Sequence, residues 1–173
     1  MPTSLDPSQA YRSLDGAVFA PLDVPPACIR VMVFVTTECP IANSYAPKLA
    51  ELSAMWCGTE VELVLVHLDP DLTEASARQH ALEHELWMPI VLDPAQRLAV
   101  ATGASITPEA AVCTRDGVVY LGRIDDRWRA RGQDSQKAAC NDLVDAVQAV
   151  RLGRPVAEPQ QPAIGCRLPT VVR

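Results

Sequence analysis

The chain has 173 residues, of which 49% are hydrophobic and 21% are charged, and this balance suits one globular domain with a substantial core. The formal net charge of −6 argues against nucleic acid or an anionic membrane surface as a partner, because acidic groups repel phosphate. No apolar run is long enough to span a membrane.

The start of the chain and its cysteines bear on where the protein acts. The N-terminus lacks the basic start and apolar core of a signal peptide. The six cysteines show neither paired zinc spacing nor a compact disulfide framework. We therefore expect a soluble cytoplasmic protein with mostly reduced thiols and no cofactor.

Residues 1–57 predict an extended lead-in followed by a strand that passes directly into a helix. Residues 1–28 contain several prolines and one short apolar piece at 17–22, which is typical of an edge strand or hairpin. Residues 29–35 are mostly β-branched or aromatic, as in a strand buried on both faces. After Pro40, apolar side chains recur at helical spacing, namely Ile41, Tyr45, Leu49, Leu52 and Trp56.

A single cysteine, Cys39, stands at this junction between strand and helix. The start of a helix presents unpaired N–H groups and the positive end of the helix dipole, and both favour a thiolate. Because such corners lie at the C-terminal edge of a parallel sheet, we expect an accessible and reactive thiol instead of a buried structural one.

The next elements predict a parallel βαβ unit. Residues 61–68 form a second apolar strand, and residues 73–86 form a helix that begins after turn residues. His67 lies inside the strand, where we expect a core or edge histidine.

His80 and His84 have the i, i+4 spacing that can hold a metal ion. Helical projection places both opposite a side of the helix formed by Ala75, Leu82 and Leu86. We therefore expect the two histidines to face solvent and predict no metal site.

The later elements follow from short apolar runs and turn residues. In chain order we predict a strand at 88–92, a helix at 95–102, a strand at 109–114, a hairpin turn at 115–117, a returning strand at 118–124 and a helix at 133–151. The last helix is expected to bury a stripe that consists of Cys140, Leu143, Val147 and Val150.

Residues 153–173 are proline-rich, which predicts an extended tail that is loosely held unless it docks. The tail contains Cys166 next to Gly165, and glycine eases access to the sulfur. A cysteine there is either a resolving partner for Cys39 or an incidental thiol, because sequence alone does not fix disulfide pairing.

The segment around Cys39 resembles the active-site corner of the thioredoxin-fold redoxins, the superfamily of thioredoxins, thiol-disulfide oxidoreductases and peroxiredoxins. Thioredoxins carry Cys-x-x-Cys after this strand and a proline eight residues after the first cysteine. Pro47 stands at that offset, whereas Ala42 replaces the second cysteine. Thr36 matches the threonine of the peroxiredoxin motif Pro-x-x-x-Thr-x-x-Cys, and Met32 stands at its proline.

The resemblance covers residues 29–151 and implies a fold class, a single thioredoxin-like α/β domain. Its central mixed sheet would combine a parallel βαβ half with a C-terminal β-hairpin and helix, flanked by helices. The stretch 68–102 would hold an inserted strand and helix. The domain would span 29–152, after the lead-in 1–28 and before the tail 153–173.

The resemblance also implies a substrate-binding site around Cys39. In this superfamily a cis-proline faces the catalytic cysteine, and Thr107-Pro108 matches it in type and order. A trans-proline turn is the alternative. Thr107 and Pro108 would then bind substrate together with Pro40 and Glu38 beside the thiol, although the Glu38 carboxylate disfavours the thiolate.

Peroxiredoxins also hold an arginine that lowers the pKa of the catalytic thiol and polarises the peroxide. Arg123 and Arg127 are the candidates here, within the charged stretch 122–128. A solvated surface network of charges is the alternative.

These features predict a thiol oxidoreductase with Cys39 as nucleophile and Thr36 beside it, and peroxide reduction is the leading reaction. The resulting sulfenic acid would be resolved by Cys166, by another subunit of a homodimer, or by an external thiol. One alternative is monothiol disulfide exchange with a protein or low-molecular-weight thiol. Another is a non-catalytic copper-binding or redox-sensing module that uses Cys39 with His67 or the tail cysteine.

Overall fold

The structure is a computed structural model that describes residues 6–130, 133–134 and 137–171. Its strands are β1 (Tyr11–Arg12), β2 (Val18–Phe19), β3 (Ile29–Val35), β4 (Val61–His67), β5 (Ile90–Leu92), β6 (Ile106–Thr107), β7 (Glu109–Thr114), β8 (Gly117–Gly122), β9 (Trp128–Ala130), β10 (Gln133–Asp134), β11 (Gln160–Gln161) and β12 (Cys166–Arg167). Its helices are α1 (Pro40–Ser44), α2 (Ala46–Trp56), α3 (Glu74–Glu83), α4 (Arg97–Thr102) and α5 (Asp142–Arg151).

A six-stranded mixed sheet lies at the centre, in the order β11-β8-β7-β3-β4-β5. β3, β4 and β5 run parallel, whereas β7 is antiparallel to β3 and β8 is antiparallel to β7. The predicted parallel half and C-terminal hairpin are therefore confirmed. The stretch predicted to hold an inserted strand and helix contains β5 and α4.

Both faces of the sheet are covered, which is the arrangement that the mostly apolar sequence of β3 indicates. Val31 and Val33 belong to the cluster that packs against α1, α2 and α5. Met32 and Phe34 belong to a second cluster with α4 and the lead-in, which supplies the β1–β2 hairpin. All four residues are 0% exposed, so β3 forms the middle of the core. Among the described residues, no helix is long and apolar enough to span a membrane.

The predicted helix after Cys39 is divided in two. α1 ends at Ser44 and α2 begins at Ala46, with Pro47 in its first turn, where a missing N–H is tolerated. The predicted apolar stripe is buried along both helices, at Ile41, Tyr45, Leu49, Leu52 and Trp56. The division therefore preserves the face that packs on the sheet.

The predicted orientation of α3 is wrong. Ala77, His80 and Ala81 are its buried residues, whereas Leu82, expected on the core side, is 59% exposed. The helix has no stripe of large apolar side chains, so projection of its apolar residues did not fix its packing face. His80 can be buried because Asn43 provides a hydrogen-bond partner, at 2.9 Å.

The last helix is shorter than predicted, since it begins at Asp142. Cys140 is exposed before the helix, whereas Leu143 and Val147 are buried as predicted. The Asp126 carboxylate accepts hydrogen bonds from the backbone N–H groups of residues 139 and 140, at 2.7 and 2.9 Å, which fixes this stretch as a loop. Residues 133–134 of the predicted helix form β10 instead, and its residues 135–136 lie outside the described residues.

The proline-rich tail is docked on the domain at two places. β11 pairs in parallel with β8 at the edge of the central sheet, and β12 pairs antiparallel with β6. Gly122 allows the first contact, because a Cβ at that position would lie 2.2 Å from the backbone oxygen of Gln161. The tail is thus held by main-chain pairing.

Leu52→Ala tests the packing of α2 on the sheet. Leu52 is 0% exposed, so truncation should lower the free energy of unfolding by about 2–5 kcal/mol through lost burial and a residual cavity. Urea denaturation followed by circular dichroism measures the change. Met55→Ala on the same helix is the matched control, because Met55 is 51% exposed and its loss should cost less than about 1 kcal/mol. Equal losses in both variants would contradict the assigned packing face.

Candidate active site

The candidate site lies where β3 ends and α1 begins. Cys39 is the N-cap residue of α1, with an extended backbone at φ −80° and ψ 108°. Its Sγ accepts a hydrogen bond from the Ala42 N–H at 3.4 Å. A donor in this position stabilises negative charge on the sulfur when it attacks or leaves. The local fold therefore supplies the helix start that the sequence predicts.

The docked tail covers Cys39. Cys39 is only 2% exposed, and the Sγ of Cys166 lies 2.8 Å from its own Sγ. The prediction of an accessible thiol is therefore wrong for this arrangement of the chain, because residues 127 positions away in sequence lie over the corner. The covering atom is itself a sulfur, so burial here brings two cysteines together.

Thr107 lies next to both cysteines. In the pairing of β6 with β12, Cys166 stands opposite Thr107. The backbone oxygen of Thr107 also lies 3.1 Å from the Cys39 Sγ. A thiol carries one hydrogen, so Cys39 can donate either to this carbonyl or to the Cys166 sulfur at a given time.

Of four further predicted site residues around Cys39, two are buried and two are exposed. Thr36 and Thr107 are buried, with their hydroxyl oxygens 3.3 Å apart. The Thr107-Pro108 peptide bond is cis, as the resemblance implied. Glu38 and Pro40, which flank Cys39 in sequence, are exposed. Their substrate-binding role stays a prediction.

Both candidate arginines are engaged elsewhere. Arg123 donates from Nε to the Asp142 carboxylate at 2.8 Å, and this hydrogen bond raises the pKa of the guanidinium. The Arg127 guanidinium lies 4.1 Å from the centre of the Tyr45 ring and donates to the backbone oxygen of Ser44 at 3.0 Å. Ser44 is the last residue of α1, at the opposite end from Cys39. A role for either arginine beside the thiol stays a prediction.

Comparison with solved structures identifies the architecture. An uncharacterized conserved protein from Geobacillus kaustophilus matches with a TM-score of 0.80 at 24% identity, over 98% of this chain and 93% of that one. A hypothetical protein from Sinorhizobium meliloti matches with a TM-score of 0.77 at 24% identity, over 92% and 89%. A secreted Mycobacterium tuberculosis disulfide oxidoreductase homologous to E. coli DsbE matches with a TM-score of 0.53 at 19% identity, over 64% and 78%.

The chain has the thioredoxin fold. No protein-family model matches the sequence, and no curated protein matches it. The first two structural matches cover more than nine-tenths of this chain, so the likeness extends beyond the central sheet.

A partly buried polar network, which the sequence reasoning missed, supports the corner of the thioredoxin fold. Asp69 accepts hydrogen bonds from the Thr37 N–H at 3.1 Å and from the Thr37 hydroxyl at 2.9 Å. His67 Nδ1 lies 3.4 Å from the same carboxylate, and Asn43 donates to the Thr37 backbone oxygen at 2.8 Å. Burial opposes ionisation of Asp69, but the hydrogen bonds from His67 and Thr37 outweigh it and lower the pKa of Asp69.

The positions of Thr37 and Asp69 at the ends of two predicted neighbouring strands were a sequence signal for this network. Asp69 follows β4 and Thr37 follows β3, and the ends of neighbouring parallel strands meet at one edge of a sheet. A carboxylate beside the loop before Cys39 could therefore have been expected. Its function is to fix that loop through both a backbone and a side-chain donor.

His80 extends the network and corrects the prediction that it faces solvent. Its ring lies 5.1 Å from that of His67 and 4.5 Å from that of His84, measured between centroids. Burial, followed by the charges of the two neighbouring histidines, lowers the pKa of His80 to about 4. His80 is therefore neutral at pH 7. Within the described part of the chain, no group of three or more His, Cys, Asp or Glu residues is arranged to hold a metal ion.

The low pKa of His80 predicts a loss of stability in acid. The folded value of about 4 lies below the ordinary 6.5, so the unfolded state binds the proton first as the pH falls. The stabilisation is present above pH 6.5 and is lost between pH 6.5 and 4, by as much as about 3 kcal/mol from this group.

Urea denaturation at a series of pH values measures this loss. The free energy of unfolding of His80→Gln should decline less steeply than that of the wild type between pH 6.5 and 4. Gln79→Ala, at an exposed neighbour on α3, should keep the wild-type slope. Parallel curves for the wild type and His80→Gln would show that His80 is not the titrating group.

Proposed function

We propose that the protein is a thiol-disulfide oxidoreductase in which Cys39 and Cys166 form the redox pair. The observation that carries the proposal is the 2.8 Å separation of the two sulfurs at the N-cap of α1. Exchange goes to completion within one chain only when a second thiol can reach the first. The predicted monothiol exchange thus becomes a dithiol reaction, with the tail cysteine in place of a second cysteine at Ala42.

The reaction begins when the Cys39 thiolate attacks one sulfur of an external protein or low-molecular-weight disulfide. The substrate S–S bond breaks, its other sulfur leaves as a thiolate, and Cys39 is held in a mixed disulfide. Cys166 then attacks the Cys39 sulfur, which forms the Cys39–Cys166 disulfide and releases the second substrate thiolate. The protons lost by the two cysteines return to the two product thiols through solvent. Two protein thiols are oxidised by two electrons, and one substrate disulfide is reduced.

The surrounding groups suit these two displacements. The Ala42 N–H stabilises negative charge on Cys39 as the attacking sulfur of the first displacement. The pairing of β6 with β12 holds Cys166 opposite Thr107, whose backbone oxygen lies against the Cys39 sulfur. The exposed Glu38 and Pro40 are the predicted residues that a substrate would meet first at this corner.

Disulfide exchange is preferred to peroxide reduction because of the groups that the two candidate arginine side chains contact. A peroxidatic cysteine is served by a cation that polarises the peroxide. The described contacts of the Arg123 guanidinium are with Asp142, and those of the Arg127 guanidinium are with Tyr45 and Ser44. Exchange needs no such cation, since its leaving group is a thiolate of moderate basicity.

Serine variants of the two cysteines test the proposal. Reduced wild type treated with oxidised glutathione should form the Cys39–Cys166 disulfide, detected by non-reducing peptide mapping. Cys166→Ser should accumulate glutathione on Cys39 because resolution is lost, and Cys39→Ser should reduce disulfides about 100-fold more slowly or worse. Cys140→Ser, at an exposed thiol away from the corner, is the control and should behave as wild type.

Three outcomes would contradict the proposal in different ways. Wild-type protein that pairs Cys39 with another cysteine removes Cys166 from the reaction. Consumption of hydrogen peroxide that depends on Cys39, without disulfide reduction, supports the peroxidase prediction instead. Stoichiometric Cu(I) binding with neither activity supports the copper-binding module.

A further inference from the structure

Residues 163–168 of the tail, which we term the strap, lie over the candidate active site. Its pairing with β6 adds a strand to that edge, which is how extended peptides bind sheets. Ala163 is 7% exposed and Cys39 beneath the strap is 2% exposed, so the strap is seated closely. Two contacts outside the strap hold it at both ends, namely the pairing of β11 with β8 and a hydrogen bond from Gln96 Nε2 to the Pro169 backbone oxygen at 2.7 Å.

Gly165 lies tightly against the backbone of β6. A Cβ at this position would lie 2.1 Å from the Thr107 backbone oxygen and 2.7 Å from Ile106 Cγ2. Carbon atoms do not approach protein atoms this closely, and the Thr107 oxygen belongs to a backbone that cannot rotate aside as a side chain can. Gly165 is outside the positive-φ region, so a residue with a side chain is excluded by space and not by backbone conformation.

We propose that Gly165 is a positioning residue of the redox pair and that the strap is a gate over Cys39. The bare backbone at Gly165 lets the strap lie against Thr107, and the next residue, Cys166, is thereby held against the Cys39 sulfur. The same seating withholds Cys39 from external disulfides until the strap lifts. The proposal rests on the proposed function for the role of Cys166, whereas the cover over Cys39 stands on geometry alone.

The gate orders the steps of the reaction. The strap must lift for an external disulfide to meet Cys39, and it must return for Cys166 to attack the mixed disulfide. Because the strap is anchored on both sides by contacts that do not involve Gly165, it can lift locally while the tail stays on the domain. Reseating is then an intramolecular step.

Gly165→Ala separates the gate from the rest of the fold. The added methyl group should lift the strap, so the alkylation rate of Cys39 by iodoacetamide should rise about tenfold or more, measured by peptide mass spectrometry. Formation of the Cys39–Cys166 disulfide with oxidised glutathione should slow by about tenfold or more. Arg167→Ala, at an exposed residue of the same strand, is the matched control and should change neither rate. Circular dichroism verifies that each variant is folded.

A second pair of variants keeps the gate testable apart from the redox pair. In the Cys166→Ala background no Cys39–Cys166 disulfide can form, and Cys39 should still be alkylated slowly while Gly165 is present. Adding Gly165→Ala to that background should raise the rate about tenfold. Equal alkylation rates with and without Gly165→Ala, in both backgrounds, would overturn the gate. Absence of the disulfide in the wild type, together with faster alkylation in Gly165→Ala, would overturn the redox pair and leave the gate standing.

Discussion

Backbone pairing between β6 and β12 is the interaction on which the arrangement of this site depends. It places Cys166 opposite Thr107, and the Thr107 carbonyl is itself in contact with the Cys39 sulfur. This short ladder thus sets where the Cys166 sulfur lies relative to the Cys39 sulfur. Neither cysteine is positioned by its own side-chain packing alone, so the site is a property of the docked tail as much as of the strand-helix corner.

The corner contributes a different constraint, which is rigidity. Hydrogen bonds hold the loop between β3 and α1 in place. Thr37 donates to the Asp69 carboxylate, and the Asn43 side chain donates to the Thr37 backbone oxygen. Histidine rings pack around this carboxylate and amide, and burial keeps His80 neutral. The proposed exchange between sulfurs needs close alignment of the attacking and leaving atoms, and a loop held by several hydrogen bonds presents Cys39 in one orientation.

The corner could be predicted because its signals are local. A dense apolar run, a proline and a change to helical spacing specify strand, junction and helix within residues 29–57, and the position of Cys39 follows. The packing of α3 could not be predicted, because a helix buried through alanines and His80 lacks an apolar stripe. Partners of Arg123 and Arg127 are far away in sequence or are set by loop geometry, so charge alone did not place them.

Docking of the tail could not be predicted from local sequence patterns either, for a different reason. Its two strands have two residues each and pair through main-chain groups, which carry no hydrophobic pattern. Each pairing requires a glycine, Gly122 in the pairing of β8 with β11 and Gly165 in the pairing of β6 with the strap. A side chain at either position would collide with the opposing backbone. Glycine is common enough in turns and tails that neither position indicated a contact before the pairing was known.

The separation of 127 positions between the two sulfurs has a consequence for conformational stability. A covalent link between Cys39 and Cys166 would enclose most of the chain in one ring, and the lost freedom of the denatured ensemble corresponds to about 5 kcal/mol in the loop-entropy account. Electron transfer and cooperative unfolding are then thermodynamically linked. Reduction of the disulfide would lower the conformational stability of the protein against heat and denaturant. Any agent that stabilises the native ensemble would in turn favour the disulfide over the two thiols.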